Sequence, residues 1–351
     1  MSKISDITVQ RIIDCANDHI VDIIEKHNIK LKKKGSRYFG LCPFHDDHHA
    51  TNFSVYRKCY KCFACDAKGD AITFLMNHGG MKFIDAIRWV GKEYGIPVDD
   101  VPVNYTPPPR KEPEPLPMFT LPLKYIALSM IGKMSDHDPL INWICSLRWD
   151  GAQAARIEHS IASYAIGHSK WGHTIFWQID EKQKVRTGKM MLYQEDGHRA
   201  RKAPYNFDYV HAALFRDKRF PQYDEDKFEV KQCLFGQHLL NAWPDATINI
   251  VESEKTALLM SIAHGNNAAS IWMACGGLYA LSKERLAPLI EGHRKIVLFP
   301  DRDGIEDWTN KAALLDYDNI GVNSDIVTKY WMPCDGEKAD IADVVIRMLN
   351  G

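Results

Sequence analysis

Two short knuckles constrain this chain more than anything else in it: Cys42-Pro43-Phe44-His45 and, after sixteen intervening residues, Cys62-Phe63-Ala64-Cys65. Each pair of soft ligands spans two residues, so both side chains of one tight turn reach the same point. Two such turns supply the four donors of a tetrahedral Zn2+ site. Cys59, His48 and His49 lie nearby, but only Cys42, His45, Cys62 and Cys65 keep the two-residue spacing on both sides. All four positions are then filled by protein and none remains for water, so the zinc is predicted to be structural.

A second feature lies near the other end. The runs Ile248-Asn249-Ile250-Val251 and Ile296-Val297-Leu298-Phe299 are apolar and β-branched, and each stops abruptly in acid: Glu252 after the first, Asp301 and Asp303 after the second. Buried parallel strands deliver acids to the carboxyl edge of a sheet in this way, which is where such sheets bind ligands. A helix-forming stretch, Thr256 to Ala263, follows Glu252, and a third acid cluster, Asp340-Ile341-Ala342-Asp343, follows a β-rich run at Ser324 to Thr328. Glu252, Asp301, Asp303 and Asp340 are therefore the candidate catalytic acids. Clustered hard oxygens suit Mg2+ or Mn2+, with Glu252, Asp301 and Asp303 as the candidate ligands.

Composition sets the outer limits. A chain of 351 residues can bury the cores of two or three domains, and its formal net charge of −1 gives no global sign of a polyanionic partner. Any nucleic-acid surface must be local. The amino-terminal Met1-Ser2-Lys3-Ile4-Ser5-Asp6 lacks the apolar centre of a signal peptide, and no apolar run is long enough to span a bilayer. These features predict a cytoplasmic protein with no membrane partner, in a compartment where the nine cysteines stay reduced or bind metal.

Ile12, Ile13, Ala16, Ile20, Ile23 and Ile24 repeat at helical spacing and predict one helix or two short ones. Around the second knuckle, Arg57, Lys58 and Lys61 are interleaved with Phe53, Tyr56, Tyr60 and Phe63. That mixture of cations and rings suits single-stranded nucleic acid, although Phe53 and Phe63 are expected to pack the core. Pro107, Pro108, Pro109, Pro113, Pro115 and Pro117 predict a semi-rigid linker over 101–118. Beyond it, helices are expected from Pro139 to Arg148 and Ala152 to Ser160, then a strand over His173 to Asp180 paired with Lys184 to Tyr193. Lys182, Lys184, Arg186, Lys189, Arg199, Arg201 and Lys202 concentrate there, as a solvated face or as a groove for template or nucleoside triphosphate. Trp143, Trp149, Trp171 and Trp177 are assigned to the core.

Gly40-Leu41-Cys42-Pro43-Phe44-His45, Asn52-Phe53-Ser54-Val55, Tyr60-Lys61-Cys62-Phe63-Ala64-Cys65, Gly69-Asp70-Ala71-Ile72-Thr73-Phe74-Leu75 and Phe83-Ile84-Asp85-Ala86-Ile87 resemble the zinc-binding domain of bacterial replicative primases, from about Ile4 to Pro97. In that family the domain is a zinc ribbon that helps engage single-stranded template. The strand-Glu-helix and strand-Asp-x-Asp pattern from Ala246 to Leu349 resembles the Toprim domain of primases, topoisomerases and some nucleases. Ser253 stands where Toprim glutamates are usually followed by Gly, Thr256 where the primase pattern carries an acid, and Gly304 comes directly after the second Asp. Glu254 is the nearest acid available to replace the missing one. Cys233-Leu234-Phe235-Gly236 is similar to the segment that enters the glutamate strand, and Lys231 lies one residue from where primases keep a core lysine.

The expected fold class is α+β and multidomain: a zinc-binding domain over 1–100, a proline-rich linker over 101–118, a basic α+β subdomain over 119–244, and a Toprim α/β domain with a mainly parallel sheet over 245–351. The resemblance implies template-directed synthesis of short RNA primers on single-stranded DNA, with structural Zn2+ and catalytic Mg2+ or Mn2+ in a two-metal phosphoryl transfer. The implied partners are single-stranded DNA, nucleoside triphosphates, and a replicative helicase or replication proteins of a mobile element. Lys58, Lys61, Lys189, Arg199, Arg201, Lys202 and Lys231 are the candidate nucleic-acid or nucleotide contacts. The pattern runs out at the last Toprim helix, which predicts a reduced, plasmid-, phage- or conjugative-type relative. A Toprim-type nuclease and a non-catalytic single-stranded DNA-binding accessory protein are the alternatives.

Overall fold

The computed structural model describes residues 3–35, 37–48, 50–65, 67–98, 100–101, 116–130, 138–203 and 205–350. The chain divides into two units, Met1–Glu114 and Pro115–Gly351. Most of the proline-rich stretch, and His49, lie outside the described residues.

In the first unit the isoleucine periodicity forms two helices, Asp6–Asp18 and Ile20–Lys26, the first opened by Ser5, whose hydroxyl accepts the Thr8 N–H. Five antiparallel strands follow in sequence order: Lys32–Lys34, Arg37–Gly40, Phe53–Tyr56, Cys59–Cys62 and Lys68–Gly69. Two more helices, Ala71–Asn77 and Phe83–Glu93, cover the core formed by Ile12, Ile20, Phe53, Tyr60, Phe74 and Val90. Phe53 is buried as expected, and Phe63 is half-buried.

The second unit holds two sheets. The antiparallel one has the order Phe207–Tyr209, Val185–Met191, Thr174–Ile179, Gly167–His168. All six residues of Thr174–Ile179 are buried, because the strand has a core on each face. Ile175, Trp177 and Ile179 join Phe119 and Val210 on one side, while Phe176 joins the larger core on the other. The other sheet is wholly parallel, in the order Ser270–Ala274, Thr247–Val251, Ile296–Phe299, Ile320–Val322. The chain leaves the central strand Thr247–Val251 for one side of the sheet, then crosses to the other. The strand order therefore reverses between Thr247–Val251 and Ile296–Phe299, at the point where open α/β sheets form a crevice beyond their carboxyl ends. The Leu-Phe-Gly segment seals one edge, with Phe235 and Ala274 exchanging both backbone hydrogen bonds at 2.9 and 3.1 Å. Gly236 is required there: its φ is +85°, and a Cβ would meet Tyr164 at 2.8 Å.

Two expectations are corrected. The β-rich run at Ser324 to Thr328 is a short helix, Asp325–Lys329, and the edge strand is Ile320–Val322 just before it. Ile320–Val322 already fills the slot beside Ile296–Leu298, and Val327 is buried from the helix instead. Trp171 is not a core residue: it is 63% exposed, with the Lys170 ammonium 4.7 Å from its ring.

Candidate functional site

The first unit gathers the four knuckle donors. Cys42 and Cys62 are buried, and the ligand atoms of Cys42, His45, Cys62 and Cys65 all lie within 4.8 Å of one another. Backbone N–H groups point at the sulfurs, Phe44 to Cys42 Sγ at 3.5 Å and Ala64 and Cys65 to Cys62 Sγ at 3.4 and 3.5 Å. Burial pushes both thiols up and these donors pull the other way, an environment that favours a metal-held thiolate. Behind them stands Asp47. It accepts the Cys42 N–H at 2.7 Å and the Asn52 amide at 2.8 Å, and lies 3.8 Å from His45 Nε2, so that Nδ1 is left toward Cys62. The donor set fits a tetrahedral Zn2+. Cys59 is exposed and donates to the Tyr56 carbonyl, and His48 is exposed beside Asp46. Lys58 pairs with Asp18 at 2.8 Å, and the Lys61 ammonium lies 5.9 Å from the Phe63 ring.

The second unit brings the acids together. Val251 and Phe299 are paired across the parallel strands, so Glu252 and Asp301 emerge side by side at the switch point. Glu252 is buried, and its Oε1 lies 3.4 Å from the Asp301 amide. Gly304 passes so close that a Cβ would sit 2.7 Å from the same oxygen. With Asp303, Asp340 and Asp343 these acids line a cleft of about 510 Å3. Thr256 donates its hydroxyl to Asp340 Oδ2, and Ser253 caps the helix Glu254–His264 that carries it. Asp340 Oδ1 accepts the Asp343 N–H at 2.9 Å while Asp343 Oδ2 accepts the Asp340 N–H at 3.0 Å, which fixes the start of the helix Ile341–Asn350.

Burial first, then the charges of Glu252, Asp340 and Asp303, push Asp301 up to about 9. Burial likewise pushes Glu252 up to about 7 and Asp343 to about 6. Carboxylates so crowded call for a cation, and their hard oxygens fit Mg2+ or Mn2+. Among the described residues it is the zinc set that is gathered to metal-ligand spacing, while the acids ring a wider space.

His198, Arg199, Arg201, Lys255 and Lys338 line the same cleft. Arg199 and Arg201 also line an adjoining pocket of about 330 Å3 with Lys189, Leu192, Phe207 and Tyr209. Arg199, Arg201 and Lys202 are exposed, whereas Lys189 is buried with its ammonium 2.8 Å from Glu254 and 3.0 Å from the Gly276 carbonyl. Glu254 is thus committed to Lys189. Lys231 is exposed and 3.3 Å from Glu284. Asp47, His198, Lys255 and Lys338 belong to none of the motifs in the sequence. Asp47 and Lys338 each stand two residues from a selected ligand or acid, and Lys255 follows Glu254 directly, so proximity in the chain was the available signal.

The described residues thus comprise a zinc-ribbon unit and an open parallel α/β sheet with acids at its switch point. A family model for the CHC2 zinc finger matches residues 4–105, and a Domain of unknown function (DUF6371) matches residues 138–302. The DNA primase of Clostridium acetobutylicum is 40% identical over 100 residues, which is 28% of this chain and 16% of that protein. The DNA primase of Geobacillus stearothermophilus is 40% identical over 79 residues, 22% of this chain and 13% of that protein. The chain thus matches less than a fifth of the length of these relatives. Among solved structures, the zinc-binding and RNA polymerase domains of Aquifex aeolicus primase align at 17% identity over 98% of this chain and 85% of that one, with a TM-score of 0.34. The primase fragment of the bacteriophage T7 primase-helicase protein aligns at 14% identity over 89% and 96%, with a TM-score of 0.39. In its amino-terminal module the chain is a primase-like protein.

Proposed function

We propose that this chain is a DNA primase that makes short RNA on a single-stranded DNA template from nucleoside triphosphates. In this reading residues 1–100 are the zinc module, 101–118 a linker, 119–244 the basic wall and 245–351 a Toprim-type domain. The observation that carries it is the continuity of an acidic cleft with a basic pocket through one shared wall, Arg199 and Arg201. A nucleoside triphosphate needs both: anionic oxygens to hold a cation beside the reacting phosphorus, and guanidinium groups to offset the remaining phosphate charge.

Glu252 and Asp301 are the residues that would hold Mg2+, with Asp303 in the lining of the same cleft. When bound there it would stabilise the attacking hydroxyl and the leaving pyrophosphate of an in-line phosphoryl transfer. Thr256 orients Asp340 beside them. Arg199, Arg201 and Lys202 meet phosphate, and the exposed rings of Tyr205 and Phe207 lie where a base can stack. Lys189 acts from below: buried against Glu254, it ties the basic strand to the helix behind the acids. Lys58 and Lys61 contribute to template binding from the zinc module. The partner class this implies is a replicative helicase or the replication proteins of a mobile element.

An accessory, non-catalytic role is favoured by two observations, the Lys338 ammonium on Asp303 and the hydroxyl of Thr256 at the position of an acid. One assay separates the readings. The protein is given single-stranded template, labelled nucleoside triphosphates and Mg2+ or Mn2+, with Asp301→Ala in parallel. Short labelled products that fall at least a hundredfold in the variant are expected. Shortened template would instead indicate a nuclease, and binding without turnover an accessory protein.

A further inference from the structure

We propose that Lys338 is a built-in counter-cation for Asp303, and that the acidic cleft consequently takes one divalent cation, at Glu252 and Asp301, in place of two. The inference rests on the reading of this cleft as a Mg2+ site. Asp303 is the outermost of the acids, and the Lys338 ammonium contacts its Oδ2. An exposed ion pair is by itself worth little. This one is held in place by its backbone: the Arg302 N–H donates to the Ala339 carbonyl at 2.9 Å, so the segments carrying Asp303 and Lys338 are pinned where they cross. The reciprocal bonds between Asp340 and Asp343 anchor the same segment from its other side.

The remaining carboxylates are divided in the same sense. Asp340 is engaged by Thr256 and by the Asp343 N–H, and Asp335 accepts Arg347 Nε at 2.7 Å. Glu252, which accepts the Asp301 N–H at 3.4 Å, and the Asp301 carboxyl are left at the adjacent strand ends. A second ion at Asp303 would have to expel the ammonium.

The test counts Mn2+ bound to the zinc-loaded full-length chain, by the loss of the free-ion paramagnetic resonance signal, with zinc content and thermal unfolding followed in each variant. The wild type is expected to bind one Mn2+, Lys338→Arg one, and Lys338→Met a second ion at least tenfold more tightly than the wild type does. Two ions on the wild type, or a Lys338→Met titration indistinguishable from it, would overturn the inference while leaving the metal reading intact. No Mn2+ on the wild type, with Glu252→Gln identical, would overturn both.

Discussion

At Asp301 burial and the charges of Glu252, Asp340 and Asp303 all oppose ionisation, so the folded chain holds that proton more tightly than the unfolded one does. A carboxyl raised in the folded state adds stability that is full below its unfolded pKa and is lost as pH rises through its folded value. With Glu252 at about 7 and Asp301 at about 9, against ordinary values near 4, the metal-free cleft should lose stability as pH rises from about 4 to about 9. A fall of about 5 °C in the unfolding midpoint of the second unit is expected over that range. Millimolar Mg2+ or Asp301→Asn should flatten it, as differential scanning calorimetry at fixed ionic strength would show. The acids themselves were legible because a β-branched run that stops in a carboxylate has few other uses. Lys338 and His198 were not, since they lie in segments with no periodicity to orient them. Lys189 carried an unused signal: the run Val185 to Met191 lacks polar alternation, so a charge within it must find a partner inside.

The turn that carries His198 and Arg199 into the cleft is shaped by one contact. Gly197 has φ +75°, and a Cβ on it would fall 2.2 Å from the Trp143 ring, over which Lys255 also lies, 5.2 Å from its centroid. Gly197→Ala combines left-handed strain with a clash against an aromatic wall, so a loss of about 2 kcal/mol is expected. The displaced Arg199 should also weaken nucleoside triphosphate binding by roughly tenfold. Thermal unfolding and fluorescence anisotropy with a labelled nucleotide measure the two effects. Element types followed from residue type and length where the run was rich in β-branched and aromatic residues, as in the strand Thr174–Ile179, buried on both faces. They failed at Ser324 to Thr328, where Ile326, Val327 and Thr328 have β-branched character but the only adjacent sheet position was already taken.

At the scale of the molecule the two units differ in what holds them. Met1–Glu114 depends on a small core and on the knuckle donors, whereas Pro115–Gly351 has an extended core and no tight donor set among its described residues. A strong chelator should therefore abolish the unfolding transition of the first unit and leave that of the second unchanged, a result that calorimetry with added excess Zn2+ would reverse. The division between the units falls between Glu114 and Pro115. Composition did not reveal that residues on both sides of Trp243 share one interior, because contacts so distant in sequence leave no local pattern. That shared interior runs from Leu140 to Ala342, and it bears on how the protein is made. The first unit can close around its ion while the ribosome is still translating. The second must wait, its apolar strands open to chaperones and to aggregation, until Ala342 has been added to the chain.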